Sequence, residues 1–224
     1  MNLKISRDFR ANRLLSKPLT AIFIRTPLTP NHVTALCLAS GIAGGFLFSM
    51  GRSDLSAAAA FFYCLAVILD NCDGEIARAK NLRSRFGEWF DIAADFLNDN
   101  ALFIGVAAGL IRTHETGPVL LFLFLALTGT GMHFLILIAE KLKGFGPAVF
   151  ENPSPAAGGP RNFLLKTFDA LREGEASWLV LALALLGKTS AILWLGGIYM
   201  QALWLSAAFL NLKWLARKPS DENP

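Results

Sequence analysis

Four aspartates stand at two short spacings in this chain. The run is Asp70-Asn71-Cys72-Asp73-Gly74-Glu75-Ile76-Ala77-Arg78, then eight residues, Gly87, three residues, Asp91, three residues and Asp95. Both halves border long apolar segments. A carboxylate at membrane depth costs about 3 kcal/mol or several times that, so such a cluster is a functional site by default. On a helix, each residue turns about 100°, which puts Asp73 about −60°, Gly74 about +40° and Ala77 about −20° from Asp70. The two carboxylates and two small residues therefore share a face. Gly87, Asp91 and Asp95 recur at i, i+4 and i+8 and form a second stripe. Two antiparallel helices meeting at these ends would bring the four carboxylates together.

Four such groups repel one another unless a cation neutralises them. An all-oxygen donor set favours Mg²⁺, Mn²⁺ or Ca²⁺ over zinc. Four carboxylates can hold two ions, and a two-ion site suits displacement at phosphorus. Gly74, Ala77 and Gly87 leave room for a ligand, and Arg78 can pair with a phosphate or a carboxylate. The plainer reading makes these helix-end aspartates paired with Lys80, Arg83 and Arg85. It would serve for one or two carboxylates, but not for four with small residues on the same faces.

The elements that must position this cluster are membrane helices. Of the 224 residues, 54% are hydrophobic and only 17% charged, against about 25% charged in an ordinary soluble domain. The apolar runs approach the ~20 residues that a spanning helix needs. Six spans are expected: about 31–50, 55 onward through the first half of the motif, 86–111, 118–140, a short one near 174–188, and a last one ending near 212. The fold class is all-α: a polytopic membrane protein whose catalytic domain covers 31–218, with a tail at 219–224. Residues 1–30 mix basic side chains with Phe9, Leu14, Leu15, Leu19, Ile22 and Phe23. That suits an amphipathic helix in the interface, apolar face down, with Pro18 kinking or dividing it. No cleavable leader is expected, because no apolar core follows the basic start closely enough. Asn31 is expected to cap the first span. Residues 144–160 are rich in Gly and Pro and read as a loop.

Charge sets the orientation. With both termini inside, 18 of the 21 Lys and Arg lie inside, and only Arg52, Arg112 and Lys188 lie outside. This places the aspartates at the cytoplasmic ends of the second and third spans, in a cell inner membrane. The net charge of +4 does not indicate nucleic acid, since the basic residues flank apolar spans. Cys37, Cys64 and Cys72 have no CxxC spacing and read as reduced, small packing residues.

The motif D-x2-D-G-x2-A-R-x8-G-x3-D-x3-D resembles the signature of the CDP-alcohol phosphotransferase (CDP-alcohol phosphatidyltransferase) family at all eight fixed positions: Asp70, Asp73, Gly74, Ala77, Arg78, Gly87, Asp91 and Asp95. Thr29-Pro30-Asn31-x2-Thr34 is similar to the family's approach to span 1. The resemblance implies six transmembrane helices, usually a homodimer, and transfer of a phosphoalcohol unit from a CDP-linked donor to an acceptor hydroxyl, with CMP released. It implies that Asp70, Asp73 and Asp91 bind divalent metal, two Mg²⁺ or Mn²⁺ ions, and that Asp95 shares the site and acts as general base. Asp73, Gly74, Ala77, Arg78 and Gly87 would line the CDP site. A basic residue often follows the last aspartate in the family; here it is Phe96, which puts in doubt an acceptor contact from that position.

Other residues are weighed beside these. Asn31 and Thr34 lie level with the cluster and are candidates for nucleotide contact, against capping and packing roles. Asp99 extends the second stripe and reads as a residue lining the cavity. Lys141, Arg161 and Arg172 are candidates for binding an acceptor, against topology and headgroup roles. His32 reads as interfacial. The expected donor is CDP-diacylglycerol. The run Ile5 to Lys17 also resembles the branch of the family that uses CDP-inositol, which keeps a polar donor open. A cation-coupled transporter is the alternative of another class.

Overall fold

The structure is a computed structural model that describes residues 11–114, 117–143 and 176–217. Among them all regular elements are helices: α1 Ala11–Phe23, α2 Pro30–Ser49, α3 Ser53–Ala79, α4 Arg85–Arg112, α5 Val119–Lys143, α6 Ala176–Leu185 and α7 Thr189–Arg217. Five of these, α2, α3, α4, α5 and α7, are long and apolar enough to cross a membrane, and α6 is a shorter apolar helix of 10 residues. The expected boundaries agree to within a few residues. The expected loop at 144–160, Arg161 and Arg172 lie outside the described residues.

Local chemistry explains the helix ends. Thr29 takes the extended cap position of α2 and Pro30 the first helical one, where its missing N–H is no loss. The Nδ1 of His32 accepts from the Thr29 backbone N–H at 3.2 Å. Asn31 is therefore not the cap, and His32 has a capping role that the interfacial reading missed. The Thr-x-x-His spacing was the available signal, a variant of the capping box. α3 ends as Asn81 enters the left-handed region at φ 55°, which Asn tolerates better than most residues. Ser84 then caps α4, its hydroxyl accepting from Gly87 N at 3.0 Å.

α2 is wedged between α3 and α4, which touch each other little. Glycines make the wedge possible. A Cβ on Gly44 would meet the Ala59 carbonyl of α3 at 2.8 Å, and one on Gly45 would strike the Ala101 carbonyl of α4. On α4, a Cβ on Gly105 would collide with the Gly45 carbonyl. Such small-residue contacts let backbones approach where lipid offers no hydrophobic drive between helices. Gly105→Val is expected to destabilise by about 2 kcal/mol or more, because the obstacle is backbone and cannot swing away. Thermal unfolding in detergent checks this, and a melting temperature equal to wild type would contradict the packing. α5 pairs with α7, and α4 contacts both, joining the two halves. One apolar cluster, including Leu102, Phe103, Val106, Ile192, Leu193 and Leu203, fills the joint. A second, of Val33, Cys37, Ala66, Leu69, Cys72 and Ile76, lies on α2 and α3 near the aspartates. The three cysteines are free and buried.

α1 differs from expectation in two ways. It runs through Pro18 without a break. Its buried face is polar, made of Asn12, Ser16 and Thr20 at i, i+4 and i+8, while Leu14, Leu15 and Ile22 are exposed. The cause is Glu75 of α3. Its carboxylate accepts from Ser16 Oγ at 3.1 Å and Thr20 Oγ1 at 2.6 Å. Asn12 Nδ2 also donates to Ser177 of α6 at 3.4 Å. A helix docked through hydrogen bonds leaves its apolar side chains facing outward, as an interfacial helix requires. Glu75→Ala is expected to cost about 1–3 kcal/mol through the lost charge-assisted bonds and to expose α1 to cleavage at Arg13 and Lys17. Limited proteolysis checks it; an unchanged digestion pattern would show that Glu75 does not hold α1.

Candidate active site

The two acidic stripes meet at the end of the bundle formed by the α3–α4 turn. Asp70, Asp91 and Asp95 each place one carboxylate oxygen so that all three lie within 4.8 Å of one another. Oδ1 of Asp91 is buried with no hydrogen-bond partner among the described residues. An orphaned carboxylate oxygen beside two other carboxylates is costly unless a cation completes it. The donor set is all oxygen and fits Mg²⁺ or Mn²⁺.

Asp73 belongs to the same face but stands apart from this trio. It is buried, and Thr34 Oγ1 of α2 donates to its Oδ2 at 2.5 Å. Thr34 also lies 3.2 Å from the Pro30 carbonyl, but it has one proton, and the shorter contact to a charged acceptor is the stronger. Thr34 thus orients Asp73, a link between helices that spacing alone could not show.

A pocket of about 160 Å³ opens beside Asp73 and Asp91. Asn31, Thr34, Gly74, Ala77, Arg78 and Gly87 all line it. The small residues keep this pocket open. The Arg78 guanidinium folds over Gly74, where a Cβ would lie 3.4 Å from it, and a Cβ on Gly87 would press on Asn31 Oδ1 at 3.0 Å. Arg83 and Ser84 also line this pocket, so its rim is basic while its inner wall is acidic.

A second cavity, of about 580 Å³, lies on the other side of the cluster. Asp70 and Asp95 face it, with Tyr63, Asn71, Asp99, Thr130 and His133 on the walls made by α3, α4 and α5. The wall from α6 and α7 is mainly apolar, including Leu179, Val180, Leu183, Ile192 and Leu195. Asp99 lines this cavity, as expected. Phe96 also lines it and stacks on Phe134, ring centroids 4.5 Å apart. An aromatic pair thus occupies the position that follows the last aspartate. Asp70 and Asp95 look into one cavity, Asp73 and Asp91 into the other, and the carboxylate trio joins them. A reactant from each side can meet there.

The basic residues near the cluster do not pair with the aspartates as the plainer reading required. Lys80 Nζ donates to the carbonyls of Thr26 and Leu28, at 2.7 and 2.8 Å, and so fixes the α1–α2 connection. Lys141 pairs with Glu88 at 2.8 Å and sits over the Trp89 ring, 5.8 Å from its centroid. It lines neither cavity. Glu75, Ser16 and Thr20 were not singled out from sequence. Glu75 lies about 140° around the helix from Asp70, on the wrong face for the site, and that was the signal that it needs another partner.

Comparison with known proteins identifies relatives and a shared fold. Over 93 residues the chain is 33% identical to a phosphatidylinositol phosphate synthase of Mycobacterium bovis, covering 41% of this chain and 42% of the relative. It is 31% identical over 184 residues to a bifunctional IPC transferase and DIPP synthase of Archaeoglobus fulgidus, covering 76% of this chain and 33% of that protein. The chain thus spans less than half the length of these curated relatives. The crystal structure of Mycobacterium tuberculosis phosphatidylinositol phosphate synthase in complex with manganese and citrate shares the fold, with a TM-score of 0.59 at 21% identity over 93% of this chain and 92% of that one. The family model for CDP-alcohol phosphatidyltransferase matches residues 27–186. That stretch holds both cavities' acidic walls and every motif position, and this chain belongs to the CDP-alcohol phosphatidyltransferase family.

Proposed function

We propose that this protein transfers a phosphatidyl group from CDP-diacylglycerol to an acceptor hydroxyl and releases CMP. The observation that carries this reading is the junction of two cavities at Asp70, Asp91 and Asp95. The smaller pocket takes the nucleotide, with Arg78 paired to a phosphate and Gly74, Ala77 and Gly87 leaving room for it. The larger cavity supplies the apolar wall that a diacylglycerol tail needs within the membrane. Asp70, Asp91 and Asp95 hold divalent metal, with Asp73 oriented beside them by Thr34; the manganese in the similar Mycobacterium tuberculosis structure supports this. Bound metal supplies charge neutralisation for the pyrophosphate and for the departing CMP. Asp95 accepts the acceptor's proton as the new P–O bond forms and the bond to CMP breaks. Arg78 stays with the leaving phosphate.

The positive-inside distribution supports an inner-membrane protein with both termini and the aspartates cytoplasmic. The family resemblance supports a homodimer. A CDP-inositol donor is the second reading, favoured by the 31% identity to the IPC transferase and DIPP synthase over 76% of the chain.

Purified protein with Mg²⁺ or Mn²⁺, offered CDP-diacylglycerol or CDP-inositol with a panel of acceptors, should release CMP, and the product mass should identify donor and acceptor. Product from CDP-inositol alone would move the reading to that donor. No CMP from either donor, with cation flux into proteoliposomes, would overturn the enzyme reading in favour of transport.

A further inference from the structure

The proposed reaction uses four aspartates, and a fifth, Asp99, lines the larger cavity with Asp70 and Asp95 without a role in it. Asp99 sits one turn beyond Asp95 on α4, ~6 Å along the axis. Tyr63 of α3 donates its hydroxyl to Asp99 Oδ1 at 3.0 Å. Tyr63 lies seven residues before Asp70 on α3 and Asp99 four residues beyond Asp95 on α4, so the pair, a rung between the two helices, sits deeper in the membrane than the carboxylate trio. Among the described residues, no Lys or Arg forms an ion pair with Asp99. An intramembrane carboxylate of this kind marks a substrate path by default.

The chemistry of the rung selects its ligand. A carboxylate only accepts hydrogen bonds and has about four lone-pair sites, of which Tyr63 occupies one. With its proton committed to Asp99, the Tyr63 oxygen also presents lone pairs. The rung is thus a pair of adjacent acceptors. It fits neighbouring hydroxyls, and it repels a phosphate placed against it. Asn71, Thr130 and the Phe96–Phe134 pair also line this cavity; the Asn71 amide donates to the Val67 carbonyl and the Thr130 hydroxyl to the Leu127 carbonyl, so what they add toward a ligand is acceptor oxygen and an aromatic surface.

We propose that Asp99, braced by Tyr63, recognises two neighbouring hydroxyls of a polyol acceptor and thereby directs a third at Asp95. Any phosphate on that acceptor points away from the rung. This rests on the reading that Asp95 receives the acceptor's proton. Asp99 contacts the acceptor; Tyr63 acts through Asp99 and is a positioning residue.

The test uses full-length protein in detergent with Mn²⁺, CDP-diacylglycerol, and three acceptors: myo-inositol 1-phosphate, its single-deoxy analogues, and L-serine. For Asp99→Asn the acceptor KM should rise about tenfold or more, as expected for a hydrogen bond to a charged group. The donor KM and the Mn²⁺ requirement should stay within twofold. Tyr63→Phe should raise the acceptor KM several-fold in the same pattern. The deoxy analogue lacking a contacted hydroxyl should lose about tenfold in wild type and under twofold more in Asp99→Asn. A structural role alone would not produce that coupling. The proposal is overturned if L-serine is the only acceptor used, or if donor KM or Mn²⁺ dependence shifts while acceptor KM does not. If neither variant folds, the deoxy series on wild type decides, and no analogue losing more than twofold overturns it. Absence of CMP release by wild type from CDP-diacylglycerol would overturn the underlying reading as well, whereas normal turnover with an unmoved acceptor KM overturns this inference alone.

Discussion

Asp95→Asn should lower CMP-releasing turnover by at least about 10³-fold while leaving the affinity for the CDP donor within a few-fold of wild type. Asparagine has nearly the same shape, so the packing of α4 survives. What is lost is the ability to take a proton and one anionic oxygen of the cluster. Asp95 is the most exposed member of the trio and lines the larger cavity, where an acceptor can reach it. On the proposed reading the donor's nucleotide takes the other side, in the pocket lined by Asp73, Gly74, Ala77 and Arg78. The loss should therefore fall on kcat, with donor binding measured directly by calorimetry or by protection from thermal unfolding. Turnover within tenfold of wild type would remove Asp95 from the role of base. A matching loss of donor binding would place it in the nucleotide site instead.

Chelation with EDTA should abolish transfer, and readdition of Mg²⁺ or Mn²⁺ should restore it. Three carboxylate oxygens within 4.8 Å carry unbalanced like charge in a low-dielectric setting, and Asp91 Oδ1 has no hydrogen-bond partner among the described residues. Only a cation can satisfy both conditions with all the aspartates ionised. Because metal binds the folded form, the melting temperature should also rise with metal concentration. That second readout does not depend on turnover. Full activity in EDTA would overturn the metal assignment, and an unmoved melting temperature would show that the ion does not bind the resting protein.

Periodicity made the core of this site legible. Asp70 and Asp73, then Gly87, Asp91 and Asp95, fall on one face of their helices by rotation alone; the structure brings Asp70, Asp91 and Asp95 together, while Asp73 is held beside them by Thr34. The glycines of α2 could be read as a close-approach surface for the same reason, although not which neighbour each one touches. Gly44 meets α3 and Gly45 meets α4, so α2 separates these two helices where it passes between them. Lys80 looked like a partner for the aspartates from its place in the chain. Free carbonyls at Thr26 and Leu28, brought near by the path of α1, bind it instead.

The amino-acid sequence by itself determined the membrane class, the span boundaries, the acidic stripes and the family motif. Each depends on composition or on contacts within one helix, and those repeat with the helical period. Only the tertiary structure decided that Thr34 holds Asp73, that Glu75 anchors α1, that Tyr63 meets Asp99, and that Asp70 and Asp95 face one cavity while Asp73 and Asp91 face the other. These contacts join residues distant in sequence. Helix order, register and crossing set them, and no local spacing encodes those quantities. The four aspartates were the visible part of the site; the two chambers they join exist only once the helices are packed.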